Sequence, residues 1–362
     1  MKPKKILHIS PDFNYSCGVS KYVFSLLNGF SNNDSYIMFF ITNGGDALDK
    51  FKDNNLSPQI IKFTRGIKNI FNILPNLKVL RDFCLKNEID IIHTHHRYPE
   101  FLAYLISRKI KVKTITTVHS LVKGKNRFSF KSDKIIAVSN SVKSMLIDYY
   151  IVPNEKIVMM YNCLEQLDSY SLQTELNIRA DLGIPSSGKI ILFLGRITKM
   201  KGVDILIKAF KILRKRNQNL YLLIAGSVYD SSLNKLLRDI PNEIKLLGSI
   251  ENPYTYYSIA DIVVLPSRMD SFPYVMQEAG LLKVPFIGSR TGGIEEFIDD
   301  NINGLLVEPG NVEELADKIN YLIEHPERGK FLADNLFNKV KESSSCEKYY
   351  TKLEKVYHEL IE

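Results

Sequence analysis

Two carboxylates, Asp270 and Glu278, lie in the run Leu265-Pro266-Ser267-Arg268-Met269-Asp270-Ser271-Phe272-Pro273-Tyr274-Val275-Met276-Gln277-Glu278. An ionised carboxylate only accepts hydrogen bonds, so two of them bordering one pocket suit a ligand rich in hydroxyls. The apolar run Asp261 to Leu265, stopped by Pro266, reads as a buried parallel strand. After Pro273, residues Tyr274 to Leu282 favour a helix. The acids therefore lie across a strand, a loop and a helix start, and open α/β sheets bind ligands at the carboxyl ends of their strands. Taken alone, the pair reads rather as a solvated loop acid and a surface helix acid.

A second stretch has the same form. Lys189 to Leu194 reads as an apolar strand, Gly195-Arg196-Ile197-Thr198-Lys199-Met200-Lys201-Gly202 as a turn, and the residues from there to about Arg216 as a helix. Glycines permit close backbone approach. Arg196 and Lys201 place two fixed cations at a strand end, which suits a diphosphate. Exposed basic side chains are also common, and this turn by itself does not distinguish the two readings.

Together the two stretches resemble the retaining glycosyltransferases of family 4, which have the GT-B fold. That family carries G-R-x-x-x-x-K-G, matched at Gly195 to Gly202, and E-x7-E, matched in spacing by Asp270 and Glu278. The first acid is Asp here, one methylene shorter. The resemblance covers nearly the whole chain and is most specific over residues 189 to 310. It implies an α/β protein of two Rossmann-like domains facing each other across a cleft. It also implies a retaining, metal-independent hexosyltransferase with no cofactor. Arg196 and Lys201 would stabilise the departing diphosphate, Gly18 would let the first domain approach the same phosphates, and Ile250 would pack on the nucleotide base. Glu278 would accept from the ribose hydroxyls, Asp270 would hold the donor sugar, and His119 would stand at its other side. Phe272 and Tyr274 complete the expected donor-binding set. The expected partners are a nucleotide-sugar donor, UDP-linked, and a glycan or polyprenyl-linked acceptor of bacterial-type surface polysaccharide synthesis.

The elements that must position these residues follow from apolar patterning. Lys4 to Ser10 reads as the first buried strand. Asn14 to Ser20 follows as a turn before a helix to about Phe30, with Cys17 and Gly18 where the family has two glycines. Strands are expected at Tyr36 to Ile41 and Gln59 to Phe63, and a helix over Ile70 to Asn87 interrupted at Pro75. Ile91-Ile92-His93-Thr94-His95-His96 ends a strand in three histidines. Zinc is the sharp hypothesis there, but no acid or cysteine is suitably spaced. Lining the cleft or satisfying its hydrogen bonds is the preferred reading. Lys113 to Val118 ends at His119, and a lone histidine in such a place is as often structural as functional. Ser139 offers N-cap chemistry for a helix to Tyr150. Periodicity weakens after Glu165. The expected domains are 1–168 on the acceptor side, 169–340 binding the nucleotide sugar, and 341–362, a C-terminal helix crossing back to the first domain.

The chain has 362 residues, 45% apolar and 24% charged, enough for two domains of ordinary size. Residues 1–165 hold 24 Lys and Arg against 13 Asp and Glu, a net +11, whereas the remainder is −3. The densest run, Arg108 to Lys134, has Asp133 as its one acid. A basic face attracts anionic partners. No recognised nucleic-acid motif is present, so nucleic acid is not expected, and an anionic membrane surface is the better partner. A merely soluble basic surface is the plain alternative. Four scattered cysteines show no metal or disulfide spacing, no apolar run is long enough to span a bilayer, and the N-terminus lacks a signal peptide. The expectation is a cytoplasmic enzyme, peripheral on the inner face of the membrane. Two rivals stay open: a GT-B nucleotide-sugar epimerase, and a non-catalytic basic surface-binding protein that has kept the fold.

Overall fold

The computed structural model describes residues 2–15, 17–51, 57–63, 72–124, 128–164 and 175–362. The chain divides into two compact units: Met1–Cys163 with Cys346–Glu362, and Leu164–Ser345. Asp168, the expected boundary, lies outside the described residues. The division falls after Cys163, and the returning segment begins at Cys346 rather than at residue 341.

The first unit holds a seven-stranded sheet built from β1 (Lys4–Ile9), β2 (Tyr36–Thr42), β3 (Gln59–Ile60), β4 (Ile91–Thr94), β5 (Lys113–Val118), β6 (Lys134–Ala137) and β7 (Ile157–Met159). Its order is β3-β2-β1-β4-β5-β6-β7, and each pairing is parallel. Strand order reverses between β1 and β4, the place where doubly wound sheets hold ligands. The central strands β1, β4 and β5 are buried on both faces, and their Ile, Leu and Val residues are interrupted by buried His8, His93 and threonines. The helix Gly18–Gly29 follows β1 and buries Tyr22, Val23, Leu26 and Leu27.

Pro75 does not interrupt the next helix, Ile73–Asn87. It is the third helical residue, where the missing N–H would have had no intrahelical acceptor. The expected start at Ile70 lies outside the described residues. β3 is also shorter than expected, and Ile61 and Phe63 beyond it are core residues rather than strand. Ser139 caps its helix as its side chain suggests, accepting from Val142 N. The C-terminal helix Cys346–Ile361 packs in this unit, burying Tyr349, Leu353, Val356 and Tyr357.

The second unit repeats the plan. β8 (Lys189–Leu194), β9 (Leu220–Ala225), β10 (Ile244–Gly248), β11 (Ile262–Leu265), β12 (Phe286–Ser289) and β13 (Leu305–Val307) form a six-stranded sheet in the order β10-β9-β8-β11-β12-β13. Its reversal lies between β8 and β11, so the loops after those strands meet at the ligand end of the sheet. The helices Val203–Arg216 and Tyr274–Leu281 continue from those loops.

Candidate active site

In the second unit the loop after β8 is shaped by glycine. Gly202 has φ +75° and caps the helix Val203–Arg216. A Cβ there would lie 1.9 Å from the carbonyl oxygen of Pro266 in the loop after β11. Only glycine combines that left-handed backbone with that approach. The two loops are further tied by backbone and charge. Arg268 N donates to Met200 O at 2.8 Å. The Arg268 guanidinium grips both oxygens of Asp204 at 2.8 Å each and also donates to Lys199 O. Burial acts to raise the Asp204 carboxyl, but the Arg268 fork outweighs it and holds the group below its usual range.

Within this frame Lys201 Nζ meets Asp270 Oδ2 at 2.5 Å, and Ser267 Oγ donates to the same oxygen at 3.3 Å. Asp270 is buried, and its carbonyl accepts from Gly293 N at 3.1 Å. Gly293 is itself required, because a Cβ on it would stand 1.9 Å from Ser271 O. Lys201 and Asp270, read from sequence as a phosphate cation and a sugar acceptor, thus form one ion pair. Arg196, on the same turn, is exposed.

Glu278 is buried in the helix Tyr274–Leu281, and its Oε2 accepts from Tyr257 OH at 2.7 Å. Burial, then the Glu278 charge, pushes the Tyr257 phenol well above its ordinary value, so it stays a donor. Phe272 packs edge-on against Phe297 at 5.3 Å, Tyr274 is buried in the first turn, and Ile250 is half-buried just past β10. Sequence reasoning missed Tyr257, Ser267 and the Asp204–Arg268 fork. Ser267 was visible as a hydroxyl beside Asp270, whereas the other pairings span 21 and 64 residues with no periodicity to announce them.

In the first unit Gly18 opens the helix after β1, with Cys17 as an extended N-cap residue whose side chain makes no capping bond. One turn on, Tyr22 packs edge-on against His119 at 4.6 Å. His119 leads into a buried row of imidazoles. His119 Nε2 lies 3.4 Å from His95 Nδ1, and His95 Nε2 lies 3.1 Å from His8 Nδ1. His93, in register with His8, bonds Tyr357 OH through Nδ1 at 2.7 Å and Thr117 Oγ1 through Nε2 at 2.8 Å. Burial pushes all four imidazoles down, His8 and His119 to about 3 and His93 and His95 well below the usual value. They are neutral at physiological pH. His8, His93 and His95 could each offer a nitrogen within 4.8 Å of the others. Three imidazoles are a zinc-like donor set, but both nitrogens of His93 are engaged by hydroxyls and both of His95 by neighbouring rings, so the cluster fits hydrogen bonding better than ligation.

Two doubly wound parallel sheets in succession, with the cation turn and the acids at the switch point of the second, define the GT-B class of transferases. Residues 17–165 match the model of Glycosyltransferase Family 4, and residues 174–338 match that of Glycosyl transferases group 1. The chain belongs to this family and is a glycosyltransferase. An uncharacterised glycosyltransferase of Methanocaldococcus jannaschii is 28% identical over 370 residues, spanning 98% of both chains. The crystal structure of a Rickettsia africae glycosyltransferase superposes over 100% of both chains with a TM-score of 0.85 and 25% identity. That of Anabaena HepE with UDP-glucose gives 0.84 at 18% identity, covering 98% of this chain and 100% of that one. No helix among the described residues is long and apolar enough to cross a membrane.

Proposed function

We propose that this enzyme transfers a sugar from a UDP-linked donor to a hydroxyl of a glycan or lipid-linked acceptor in surface polysaccharide synthesis, with the anomeric configuration retained. The observation that carries this reading is the Lys201–Asp270 pair, set by glycine-dependent contacts at the switch point of the second sheet. It keeps an ammonium and a carboxylate at fixed positions, one suited to phosphate and the other to sugar hydroxyls. Arg196, exposed on the same turn, adds a second cation suited to a diphosphate leaving group. Such preorganised charge stabilises the departing UDP and does electrostatic work that other enzymes assign to a divalent metal. Glu278, oriented by Tyr257, holds the ribose; Ile250, Phe272 and Tyr274 pack about the nucleotide; Gly18 serves the phosphates and His119 the donor sugar. HepE, solved with UDP-glucose, supports a UDP-hexose as the first donor to test.

The test is UDP release from a panel of UDP-sugars. Turnover is expected with one or two of them, and Arg196→Ala should reduce it by about 100-fold, as loss of one transition-state donor does. A variant that keeps most of the parent rate removes Arg196 from the mechanism. For the acceptor side, Arg108, Lys109, Lys111, Lys113, Lys123 and Lys131 are exposed, and Phe128, 56% exposed, stands among them in sequence. This supports docking on an anionic leaflet, where each cation adds about 1 kcal/mol. Anionic vesicles should sediment the protein at low salt and release it at high salt; equal retention by neutral vesicles would assign the charge another cause.

A further inference from the structure

We infer that Asp270 lets the donor site sense whether a sugar is still attached to the nucleotide. Paired with Lys201, it weakens the hold on a bare nucleoside diphosphate and favours one that carries sugar hydroxyls, so that the spent donor is released. This deepens the proposed function and rests on its assignment of Lys201 to phosphate and Asp270 to the sugar.

Lys201 Nζ and Ser267 Oγ both donate to Oδ2 of Asp270. Among the described residues Oδ1 receives no hydrogen bond. The Asp270 side chain is 8% exposed and that of Lys201 19%. An ammonium has three N–H groups, so Lys201 keeps two for a ligand while it holds Asp270. The pair therefore offers donors to a phosphate and one carboxylate oxygen to a hydroxyl, side by side.

Neither charge is free to leave. Lys201 N donates to Thr198 O and to Thr198 Oγ1, each at 3.2 Å. The next residue, Gly202, lies against Pro266 so closely that a Cβ would meet its carbonyl oxygen at 1.9 Å. Asp270 O accepts from Gly293 N at 3.1 Å, and the fork of Arg268 on Asp204 fixes the loop two residues earlier. With a single methylene, the Asp270 side chain has little reach of its own.

Charge then decides what each ligand gains. A bare diphosphate meets an ammonium that a carboxylate already partly neutralises, and it brings no donor to Oδ1. As the ligand covers that oxygen, hydration is lost with nothing in return. A nucleotide sugar meets the same carboxylate, but its hydroxyls donate to Oδ1 in a charge-assisted bond. The difference between the two ligands lies at Asp270. Once the sugar has gone, the carboxylate works against the diphosphate that remains.

The test is calorimetry on the full chain with UDP, with the UDP-sugar that it turns over, and with pyrophosphate, which carries neither base nor sugar. The parent protein is expected to bind the UDP-sugar more tightly than UDP. Asp270→Asn keeps the shape and removes the charge. Its affinity for UDP and for pyrophosphate should rise about ten-fold, the scale of one charged hydrogen bond, while its affinity for the UDP-sugar stays level or falls. In steady state UDP should inhibit the variant about ten-fold more strongly than the parent. Should Asp270→Asn fail to fold, Asp270→Ser, smaller and also neutral, takes its place with the same expected changes. A folded variant whose UDP and pyrophosphate affinities are unchanged or lower overturns the inference. So does a UDP-sugar affinity that rises as far as that of UDP, because the carboxylate would then act on phosphate alone. A parent protein that turns over no nucleotide sugar overturns the proposed function and this inference with it. One that turns over a UDP-sugar while Asp270→Asn leaves UDP binding unchanged overturns the inference alone.

Discussion

The buried imidazoles should make the first unit acid-labile. His8 and His93 are fully buried and His95 is 3% exposed. Burial depresses all three below the ordinary imidazole value of about 6.5, His8 to about 3. A base depressed in the folded state contributes stability that is present above its unfolded value and is lost as pH falls toward the folded one. Here the window runs downward from about pH 6.5, because the unfolded chain binds protons that the folded chain refuses. From about pH 7 to about pH 5.5 each histidine should cost about 1 kcal/mol, and the three together several. That is a large part of the stability of an ordinary domain, about 5–15 kcal/mol. Hydrogen exchange read by mass spectrometry on peptides spanning β1 and β4, corrected for intrinsic rates, measures the loss in the unit concerned. His8→Leu should flatten the pH dependence by about one third. A loss below about 1 kcal/mol over this range, or an unchanged slope in the variant, would refute the burial argument.

The second unit offers two further tests. Lys201→Met strands the buried Asp270 carboxylate and should cost about 3 kcal/mol. Asp270→Asn strands an ammonium that is 19% exposed and can reach water, so its cost should be nearer 1–2 kcal/mol, roughly one charged hydrogen bond. The double variant should recover about 2 kcal/mol of the sum, and calorimetric additivity within about 0.5 kcal/mol would show that the pair does not form in solution. Gly202→Ala meets both strained φ and the Pro266 carbonyl, whereas Gly310→Ala, at φ +91° with nothing within 4 Å, meets strain alone. Gly202→Ala should therefore lower the thermal midpoint by several degrees more than Gly310→Ala, about 2–4 °C for each added kcal/mol in a unit of this size. Equal shifts would mean that the close approach relaxes at no cost.

The sheets were legible in the sequence because parallel strands buried on both faces must be nearly continuous in Ile, Leu and Val, as Ile190 to Leu194 and Ile262 to Leu265 are. The turn from Gly195 to Gly202 was legible as a turn from its glycines and its place between an apolar strand and a helix, and its match to the family's G-R-x-x-x-x-K-G gave it a meaning that its residue types alone did not. The pairing of Lys201 with Asp270 was not, since it depends on two loops 69 residues apart being brought together by strand order. Tyr257 was hidden for the same reason. The histidines were seen at the ends of β4 and β5, but their partner His8 lies inside β1. A histidine in an apolar strand shows its role only once β1 and β4 are known to be neighbours. Tyr349 and Tyr357 could not be read at all: on an amphipathic helix, a tyrosine that bonds a buried histidine has the same spacing as one that merely packs.

The return of the C-terminal helix to the first unit has a consequence for biosynthesis. Tyr22 and Tyr349 hydrogen-bond each other, Ser25 meets Tyr350, Asn33 donates to Glu354, and His93 bonds Tyr357. These partners are separated by 264 to 327 residues of chain. A ribosome therefore delivers the nested unit, Leu164–Ser345, whole before it delivers the last helix of the unit it began with. At the moment Leu164–Ser345 can close, the nascent first unit still presents His93 and Tyr22 without their C-terminal tyrosines. It is the earlier-made half that waits, in the state where chaperones have most to bind, until Cys346–Glu362 leaves the exit tunnel.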